Sequence, residues 1–376
     1  MKQFDQLGKN IRLCREAAGM TQSELAERLF VSFQAVSAWE RGQSVPDLEN
    51  AVRIAELFGI SVDTLLKDHD REIFVGIDGG GTKTEFVSFL KDGTVIGRVV
   101  AEGTNPNDVG EKACLATLNE GLSRLLQGAN PKGIFAGIAG ASAGEWKKLL
   151  SAALSEKIGS TAWVDTDAAN VLSLAPDPKK SAMIICGTGS CVFVRRGEEM
   201  IRLGGWGQLL DESGSAYDVG KDALRHALAV EDGLEEKSLL SKRLSEELGD
   251  PIFASIPMIY EKGRAYIASL APLVCECAEN GDEKSLAILE KNAQRLAKLL
   301  TVARTRYGAE EFICAGGFFK NLRFREMVAE KSKGSLIDPA LPPVCGACIE
   351  LFYRMKKSIP EDFRTNFENS YRRLSC

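Results

Sequence analysis

Residues 73–85 read IFVGIDGGGTKTE, and this stretch decides the fold. An apolar run ends at Asp78, three glycines follow, and a second apolar run begins after Thr84. The pattern predicts two antiparallel strands joined by a tight glycine turn. Because such a turn lacks β-carbons, its backbone N–H groups can close on a phosphate, and the Thr82 hydroxyl can add a donor.

A second glycine turn of the same kind lies about one lobe's length further along the chain. Residues 182–191 read AMIICGTGSC, with Thr188 and Ser190 as hydroxyl donors. In both places a strand–turn–strand unit is followed by a third strand and then by helices and further strands. The repetition predicts an α/β fold with two duplicated ribonuclease-H-like lobes of the actin/hexokinase type. We expect their two turns to grip a nucleoside triphosphate from both sides of an ATP cleft.

The predicted elements divide the chain into five parts. A first lobe, residues 73–181, has strands at 73–78, 85–90, 95–101, 133–138 and 161–165, with helices at 110–126, from 144 and from 167. A second lobe, residues 182–355, has strands at 182–185, 191–195, 199–203 and 311–315, a mostly helical stretch at 237–306, and a closing helix at 342–355. A helical domain at 1–67 and a charged linker at 68–72 precede the lobes, and a polar tail at 356–376 follows them.

Residues 1–67 have the pattern of a helix-turn-helix DNA-binding domain. Thr21-Gln22-Ser23-Glu24 predicts a capping box that opens a helix over residues 22–29, and a tight turn leads into a helix over residues 33–41. In such a unit the later helix reads the major groove from its N-terminal half. The side chains expected to contact DNA are Gln22, Ser32, Phe33, Gln34 and Ser37, and those expected in the core are Leu25, Leu29, Val36 and Trp39.

The charge of this helical domain bears on how it binds DNA. Residues 1–67 carry eight basic and nine acidic side chains, which is unfavourable for nonspecific attraction to phosphates. Specific operator binding would then require a homodimer and several good base contacts. A helical module that contacts other proteins is the alternative interpretation.

The composition excludes several classes of protein. A formal net charge of −5 with 44% hydrophobic residues indicates a globular chain without a large polyanion-binding surface. No stretch approaches the roughly 20 apolar residues that a membrane helix requires. The ten cysteines are scattered, which favours reduced thiols over disulfides or a zinc site. We therefore expect a cytoplasmic protein with no membrane partner.

Seven ordered segments resemble those of the BadF/BadG/BcrA/BcrD-type ATPases and, among them, the N-acetylglucosamine kinases. They are DGGGTKTE (78–85), GTNPN (103–107), GIAGAS (137–142), VDTDAA (164–169), ICGTGS (185–190), GGWG (204–207) with SGSAYDVG (213–220), and AGGFFKN (315–321). Residues 1–67 separately resemble the lambda-repressor-like (Xre) helix-turn-helix family. The two resemblances imply ATP and Mg²⁺ as cofactors, an amino sugar as substrate or effector, and a double-stranded DNA operator as partner.

The resemblance extends to the residues of the nucleotide site. Thr82 and Thr188 match positions at which the resembling kinases contact ATP, and Gly316-Gly317 looks like their adenosine-side motif. The residues expected to bind ATP and its phosphates are Gly79, Gly80, Gly81, Thr82, Lys83, Gly187, Thr188, Gly189, Ser190, Gly316 and Gly317.

Two carboxylates follow predicted strands at the edge where open α/β sheets bind ligands. Asp78 ends the first strand, where it can hold Mg²⁺ through water beside the phosphates, and capping of the glycine turn is its alternative role. Asp167 follows the strand 161–165 and is the candidate general base for a sugar hydroxyl. Its alternative role is the N-cap of the next helix, and Asp165 is a neighbouring carboxylate that can be confused with it.

The predicted sugar site combines matched and altered positions. Asn105 matches the family's sugar-contacting asparagine, and Trp206 between two glycines offers an aromatic face to a sugar; an ordinary loop asparagine and a core tryptophan are the alternatives. The resembling kinases carry Gly-Asp-Glu-Gly-Ser where this chain has Asp211-Glu212-Ser213-Gly214-Ser215. Without a gap Glu212 falls on the sugar-binding Asp, and a one-residue slip puts Asp211 there. The expected sugar-binding residues are Asn105, Asp167, Gly205, Trp206, Asp211 and Glu212.

The leading hypothesis is a DNA-binding transcriptional regulator fused to an ATP-dependent sugar kinase-like domain. That domain would phosphorylate or sense N-acetylglucosamine or a related amino sugar. A plain kinase with a vestigial head and a catalytically inactive sensor are the alternatives, and the Asp211–Ser213 departure favours the sensor. A related iron–sulfur activator fits poorly, because its second phosphate segment differs and Cys345 and Cys348 have no evident partner set.

Overall fold

The structure is a computed structural model that describes residues 2–66 and 72–374, without the side chains of residues 2–6 and 63. The helices within these residues are α1 Lys2–Ala17, α2 Gln22–Leu29, α3 Phe33–Glu40, α4 Leu48–Phe58, α5 Val62–Leu66, α6 Pro106–Val109, α7 Glu111–Leu126, α8 Trp146–Ile158, α9 Asp167–Ser173, α10 Ala216–Glu231, α11 Leu239–Leu248, α12 Ile256–Ser269, α13 Ala271–Glu279, α14 Glu283–Tyr307, α15 Leu322–Ser332, α16 Pro343–Arg354 and α17 Phe363–Arg373. The strands are β1 Phe74–Gly79, β2 Lys83–Phe89, β3 Val95–Glu102, β4 Gly133–Ile138, β5 Ala162–Asp165, β6 Ser181–Cys186, β7 Ser190–Arg196, β8 Glu199–Leu203, β9 Glu311–Ala315 and β10 Ser335–Ile337. The predicted linker at 68–72 lies almost wholly outside the described residues.

The chain forms two compact units. The first comprises Met1–Leu174 and Leu341–Cys376, and the second comprises Ala175–Ala340. The first unit therefore contains the N-terminal helices, the first sheet and the end of the chain.

Each unit is built on a five-stranded sheet of the same design. The first has the order β3-β2-β1-β4-β5, with β1 antiparallel to β2 and parallel to β4. The second has the order β10-β9-β6-β7-β8, with β6 antiparallel to β7 and parallel to β9. Read from β8 to β10, the second order repeats the first strand for strand. The predicted duplication of α/β lobes is thereby confirmed, and β10 is a strand that the sequence analysis missed.

The closing helix α16 belongs to the first unit, whereas the sequence analysis placed it in the second lobe. It packs on β1, β4 and α9. Small residues permit the close approach: a β-carbon on Gly346 would lie 1.7 Å from the carbonyl oxygen of Asn170, and one on Gly76 would lie 2.6 Å from Cys348 Sγ. The chain thus returns to its first sheet after completing the second, which local sequence patterns do not reveal.

The end of the chain is not the polar tail that the sequence analysis predicted. Residues 363–373 form the helix α17, and Phe363 and Phe367 are fully buried. The Phe363 ring packs edge-on against Phe89 of β2 and Phe352 of α16. Two aromatic residues spaced four apart give an otherwise polar helix one apolar stripe, and this stripe anchors it to the first sheet.

The N-terminal domain is a five-helix unit with the predicted core. Leu25, Leu29, Val36 and Trp39 are all buried. Thr21 and Glu24 form both hydrogen bonds of the predicted capping box at the start of α2. A buried ion pair that the sequence did not indicate joins α1 to α3. Arg15 Nε of α1 lies 2.6 Å from Glu40 Oε1 of α3.

The helix α17 also connects this N-terminal domain to the first sheet. Ser370 Oγ accepts a hydrogen bond from Val95 N of the edge strand β3 at 2.9 Å. Three residues later Arg373 donates to the carbonyl oxygen of Glu56 in α4. Thr64 of α5 donates to Asp92 in the β2–β3 turn at 3.4 Å. The N-terminal helices therefore contact the first sheet both directly, through Thr64, and by way of α17.

No helix among the described residues is both long enough and apolar enough to cross a bilayer. The described cysteines are free thiols. Burial raises the pKa of Cys345 to about 12 and that of Cys348 well above its ordinary value, so both stay protonated. Within the described residues no three His, Cys, Asp or Glu side chains converge as a metal site.

Candidate functional site

The first glycine turn has the geometry of a phosphate-binding loop. Gly80 N donates to Lys83 O at 2.9 Å and closes the turn between β1 and β2. Thr104 N donates to Gly80 O at 3.0 Å, so the segment 103–105 packs directly against the turn. A β-carbon on Gly103 would lie 2.0 Å from Gly81 O. Among the described residues no acceptor takes the N–H groups of Gly81 and Thr82, and these donors are available to an anion.

Asp78 lies at the end of β1 beside this turn, and a buried asparagine orients it. Asn170 Nδ2 donates to Asp78 Oδ1 at 2.6 Å. Burial raises the pKa of Asp78 to about 6, and the Asn170 hydrogen bond opposes part of the rise. Oδ2 of Asp78 has no hydrogen-bond partner within the described part of the chain. A hard oxygen ligand with one free oxygen next to a phosphate turn fits a magnesium ion.

Asp167 and Asp165 differ sharply in their surroundings. Asp165 is buried between two cations, with Lys147 Nζ 2.5 Å from Oδ1 and Arg354 Nη2 2.8 Å from Oδ2. Both of its oxygens are therefore held in ion pairs. Asp167 is the first residue of α9, and its Oδ1 accepts from Thr166 Oγ1 at 2.9 Å and from its neighbour's N–H. Its Oδ2 is left without a partner among the described side chains, which leaves this oxygen able to accept a proton.

The environment of Asp167 also separates it from an ordinary helix cap. The N-cap of α9 is Thr166, not Asp167. Burial raises the pKa of Asp167, and the bonds from Thr166 and Ala168 oppose the rise. The negative charge of Asp167 in turn raises the pKa of Asp78. The charge of Asp167 therefore acts on Asp78 within the first unit.

Asn105 is the N-cap of α6 on the segment that packs against the first turn. Its Oδ1 accepts from Asn107 N at 3.1 Å, and its Nδ2 donates to Asp108 Oδ2 at 2.6 Å. A β-carbon on Gly140 would lie 2.1 Å from Asn105 Oδ1, so the loop after β4 also contacts it. The amide is therefore fixed in orientation, with one N–H of Nδ2 still available.

The second unit repeats the phosphate-turn geometry. Gly187 N donates to Gly189 O at 2.9 Å and closes the turn between β6 and β7. The N–H groups of Thr188 and Gly189 find no acceptor among the described residues. The predicted adenosine-side pair lies against the same turn, because a β-carbon on Gly187 would be 3.7 Å from Gly317 N. Gly316 has φ +99, and a β-carbon there would lie 2.3 Å from Cys186 O, so only glycine fits.

The exposed side chains of the two turns are Thr82, Lys83 and Thr188, whereas Ser190 is buried. The Ser190 hydroxyl has no hydrogen-bond partner in the described structure. In each unit, the glycines predicted to bind phosphate lie around one turn. The contribution of each residue to nucleotide binding remains a prediction.

The loop after β8 holds Trp206 at the surface, not in the core. Its side chain is 58% exposed, and the Arg202 guanidinium lies 4.4 Å over its ring. Asp211 Oδ2 accepts hydrogen bonds from Gly205 N at 2.5 Å and from Trp206 N at 3.1 Å. Asp211 therefore shapes the loop that presents the indole.

Glu212 and Ser213 occupy different surroundings from Asp211. Glu212 Oε1 is 2.9 Å from Lys221 Nζ, and Glu212 also pairs with Arg295. The Lys221 hydrogen bond, together with nearby arginines, lowers the pKa of Glu212. Ser213 is buried, and its hydroxyl has no partner among the described residues. In the alignment without a gap, the predicted position of the sugar-binding Asp is therefore held by a carboxylate paired with cations.

The predicted DNA-reading residues lie at the start of α3. Ser32 is its N-cap and accepts from Ala35 N at 3.2 Å, while Phe33 and Gln34 are exposed and Ser37 is half-buried. Gln22 differs, because its Nε2 donates to Glu40 Oε2 at 2.7 Å and reinforces the Arg15–Glu40 pair. Four of the five predicted side chains therefore lie within α3 or at its N-cap, and Gln22 of α2 makes a bond within the domain core.

Asn170, Arg354 and Arg264 were not predicted as part of a site. Asn170 follows Asp167 by three residues, which places both on one side of α9, and that spacing was the available signal. Arg354 and Arg264 come from sequence-distant helices, and no local pattern connects them to the site. Arg264 lies over the second turn.

Two sheets of the same strand order, each opening on a glycine turn with unused N–H groups, define a nucleotide-binding protein with duplicated lobes. The chain belongs to the BadF/BadG/BcrA/BcrD ATPase family, whose model matches residues 75–350. A helix-turn-helix family model matches residues 11–65. The predicted family and the predicted fusion are both confirmed.

Two characterised sequences and one solved structure also resemble the part of this chain that follows the helix-turn-helix domain. The N-acetyl-D-glucosamine kinase of Dictyostelium discoideum is 32% identical over 263 residues, which cover 64% of this chain and 82% of that protein. The N-acetylmuramic acid/N-acetylglucosamine kinase of Clostridium acetobutylicum is 29% identical over 268 residues, with coverage of 66% and 86%. The crystal structure of a putative N-acetylglucosamine kinase from Chromobacterium violaceum has a TM-score of 0.56 at 22% identity and covers 73% of this chain and 97% of its own, which shows the shared fold.

Proposed function

We propose that this protein is an ATP-dependent kinase of an N-acetylated amino sugar of the N-acetylglucosamine type, with a helix-turn-helix head that binds operator DNA. The activities named for its relatives in Dictyostelium and Clostridium support the substrate class. The match of residues 11–65 to a helix-turn-helix model supports the DNA partner. Residues 1–67 are the proposed head, and residues 73–374 supply the proposed kinase.

The observation that carries the kinase proposal is the free Oδ2 of Asp167. The neighbouring Asp165 cannot serve as a base, because both of its oxygens are in ion pairs. Asp167 is held only through Oδ1 by its chain neighbours. A sugar hydroxyl that donates to Oδ2 would be oriented and prepared for deprotonation.

The proposed step is transfer of the γ-phosphoryl group to that hydroxyl. The hydroxyl oxygen forms a bond to the γ-phosphorus, the bond from that phosphorus to the β–γ bridging oxygen breaks, and the hydroxyl proton passes to Asp167 Oδ2. The two glycine turns would hold the phosphates through their unused N–H groups. Asp78 would hold Mg²⁺, which neutralises charge on the phosphates when bound.

The proposed sugar-binding residues are Asn105, Trp206 and Asp211, with Asp167 as base. The Asn105 amide retains one N–H for a sugar oxygen, and the exposed indole of Trp206 offers an apolar face. Asp211 keeps one oxygen outside its bonds to the loop backbone. Glu212 is the weaker candidate, because Lys221 and Arg295 compensate its charge.

The contacts of α17 support control of DNA binding by ligand. Tyr371 OH donates to Glu85 Oε1 at 2.6 Å, and Glu85 follows the first glycine turn on β2. On the same helix Arg373 donates to the α4 carbonyl of Glu56. A short physical path therefore connects the turn that would bind phosphate with the head. A change at β2 on nucleotide binding would reach the head through this helix.

A sensor without turnover is the second candidate, favoured by the engagement of Glu212 with cations. ATP consumption measured over a panel of N-acetylated hexoses, beside calorimetric titration of each sugar, separates the two. The kinase proposal predicts sugar-dependent release of ADP for at least one member. Sugar and ATP binding without ADP release for any member would refute the kinase and leave the sensor.

The DNA proposal has its own experiment. Duplexes are selected from a random-sequence pool with the full chain, and the affinity of the selected duplex is measured. Gln34→Ala is expected to weaken selective binding by about 5- to 150-fold, since a bidentate base contact contributes about 1–3 kcal/mol. Failure to enrich any sequence would contradict an operator-binding head. Light scattering of the complex tests the proposed homodimer.

A further inference from the structure

Arg264 enters the second unit's site from a helix outside the recognised motifs. It follows Gly263, whose φ of 68° and ψ of −155° interrupt the helical path of α12. Only glycine adopts such a conformation readily. The break redirects the chain at the residue that carries the guanidinium.

The Arg264 guanidinium lies directly over the second phosphate turn. A β-carbon on Gly189 would be 2.4 Å from Arg264 Nη2, so the absence of a side chain at Gly189 makes room for the cation. The guanidinium carbon is 5.8 Å from the Tyr217 ring centroid, which supports it from one side. Among the described residues none accepts a hydrogen bond or an ion pair from Arg264.

Two buried hydroxyls line the same surface depression as Arg264. Ser190 and Ser213 are each 6% exposed, and neither hydroxyl oxygen has a hydrogen-bond partner in the described structure. Buried hydroxyls are rarely left unpaired, so this pair indicates an external partner. The N–H groups of Thr188 and Gly189 beside them are also unused.

The two acidic side chains of the depression each hold one oxygen in hydrogen bonds to the backbone. Asp218 Oδ2 accepts from Gly214 N, Ser215 N and Ser215 Oγ, and Lys221 Nζ lies 3.7 Å from its other oxygen. Asp211 Oδ2 accepts from two backbone N–H groups of the loop after β8. Asp218 Oδ1 has no hydrogen-bond partner among the described residues, and its charge is paired with Lys221. The uncommitted donors around the turn are an arginine, two hydroxyls and backbone N–H groups. Such a set recognises a phosphate oxyanion.

We propose that Arg264 binds a terminal phosphoryl group of the nucleotide held on the Gly187–Gly189 turn, with the Ser190 hydroxyl as a second donor. This inference rests on the proposed nucleotide-dependent function and adds a phosphate-binding residue to it. The planar fork of arginine contacts two phosphoryl oxygens at once, which a lysine cannot reproduce.

The experiment titrates the full chain with ATP, inorganic tripolyphosphate and adenosine. Arg264→Met is expected to weaken ATP and tripolyphosphate binding by about 10- to 100-fold, because it removes a charge-assisted hydrogen-bonding group. Adenosine has no phosphate, so its affinity is expected to stay unchanged. Arg264→Lys keeps the charge and should show a smaller loss. Arg264 is exposed, so these substitutions leave the core intact.

Two further variants sharpen the result. Lys262→Met removes an exposed cation two residues earlier, which lies 4.4 Å over the Tyr266 ring, and is expected to leave all three affinities unchanged. Gly189→Ala keeps the arginine but displaces its guanidinium. It should weaken ATP binding in the natural chain and have little additional effect in the Arg264→Met background.

The outcomes are distinguishable from those of the kinase test. Unchanged ATP affinity in Arg264→Met, or an equal loss for adenosine, would overturn the inference, and so would a natural chain that binds neither ATP nor tripolyphosphate. Arg264-dependent ATP binding without sugar phosphorylation would support the inference while refuting the kinase proposal.

Discussion

Asn170 Nδ2 donates to Asp78 Oδ1 over 2.6 Å, joining helix α9 to the end of strand β1. Asn170 is fully buried, and Gly346 of α16 packs against its backbone. The same seven-residue helix begins with Asp167. One short helix therefore positions both the proposed metal-side carboxylate, through Asn170, and the proposed base.

Asn170→Ala tests this arrangement. The substitution leaves Asp78 Oδ1 without its donor, and we expect a loss of about 1–3 kcal/mol in the free energy of unfolding. We also expect a higher KM for ATP and a kcat lowered at least about tenfold, because Asp78 would lose its orientation. Denaturant unfolding and steady-state kinetics give the two readouts.

A matched control exists in the N-terminal domain. Asn10 is buried, and its Nδ2 donates to Leu65 O at 3.0 Å. Asn10→Ala should destabilise that domain without changing either kinetic constant. Equal kinetic losses in the two variants would mean that Asn170 acts only through general stability.

Removing the charge of Asp165 and removing that of Asp167 should have different effects on the stability of the fold. Asp165→Asn breaks a buried ion pair with Arg354 and Lys147, and we expect it to cost about 3–5 kcal/mol. Burial raises the pKa of Asp167, so its charge is unfavourable in the folded state, and Asp167→Asn should be neutral or slightly stabilising at pH 7. Thermal unfolding compares the two directly. A destabilised Asp167→Asn variant would indicate a structural role.

The pH dependence of turnover follows from the same shift. Asp167 accepts a proton only when ionised, and its raised pKa means that kcat falls as the pH drops through a value above that of an ordinary aspartate, about 3.9. We therefore expect an acid limb above pH 4 at saturating ATP and Mg²⁺. A kcat that is flat down to pH 4 would contradict the assignment of Asp167 as the base.

Tyr371→Phe tests the proposed path between the two functions. The change removes the hydroxyl that contacts Glu85 but keeps the aromatic ring beside Phe367. The measured quantity is the ratio of operator affinity with ATP and sugar to operator affinity without them. If this ratio differs from 1 in the natural chain, we expect it to move toward 1 in the variant. Arg372→Ala, on the exposed side of α17, should leave the ratio unchanged. An undiminished ratio in Tyr371→Phe would exclude this path.

The sequence predicted the local elements well because their signals are local. The apolar run 133–138 is a strand with the expected bounds, and so is the strand at 199–203. The helix predicted over residues 22–29 after the capping box at Thr21 also has the expected bounds. The two glycine turns were recognisable because few other structures use that composition between two strands. The glycines of both turns could therefore be located from the sequence, and their part in nucleotide binding stays a prediction.

The elements that the sequence misplaced depend on distant packing. The helix α16 could not be assigned to the first sheet, because the contact of Gly346 with Asn170 joins residues 176 positions apart. The helix α17 looked polar, since only Phe363 and Phe367 mark its buried side. Trp206 is exposed because Asp211 shapes its loop, an effect that composition does not show.

The most direct test of the account is ATP consumption by the natural chain and by Asp167→Asn over the same panel of N-acetylated hexoses. The account predicts sugar-dependent ADP release by the natural chain. Loss of the base is expected to reduce this release by about 10²- to 10⁴-fold while ATP affinity stays unchanged. Turnover in Asp167→Asn equal to that of the natural chain would contradict the proposed mechanism.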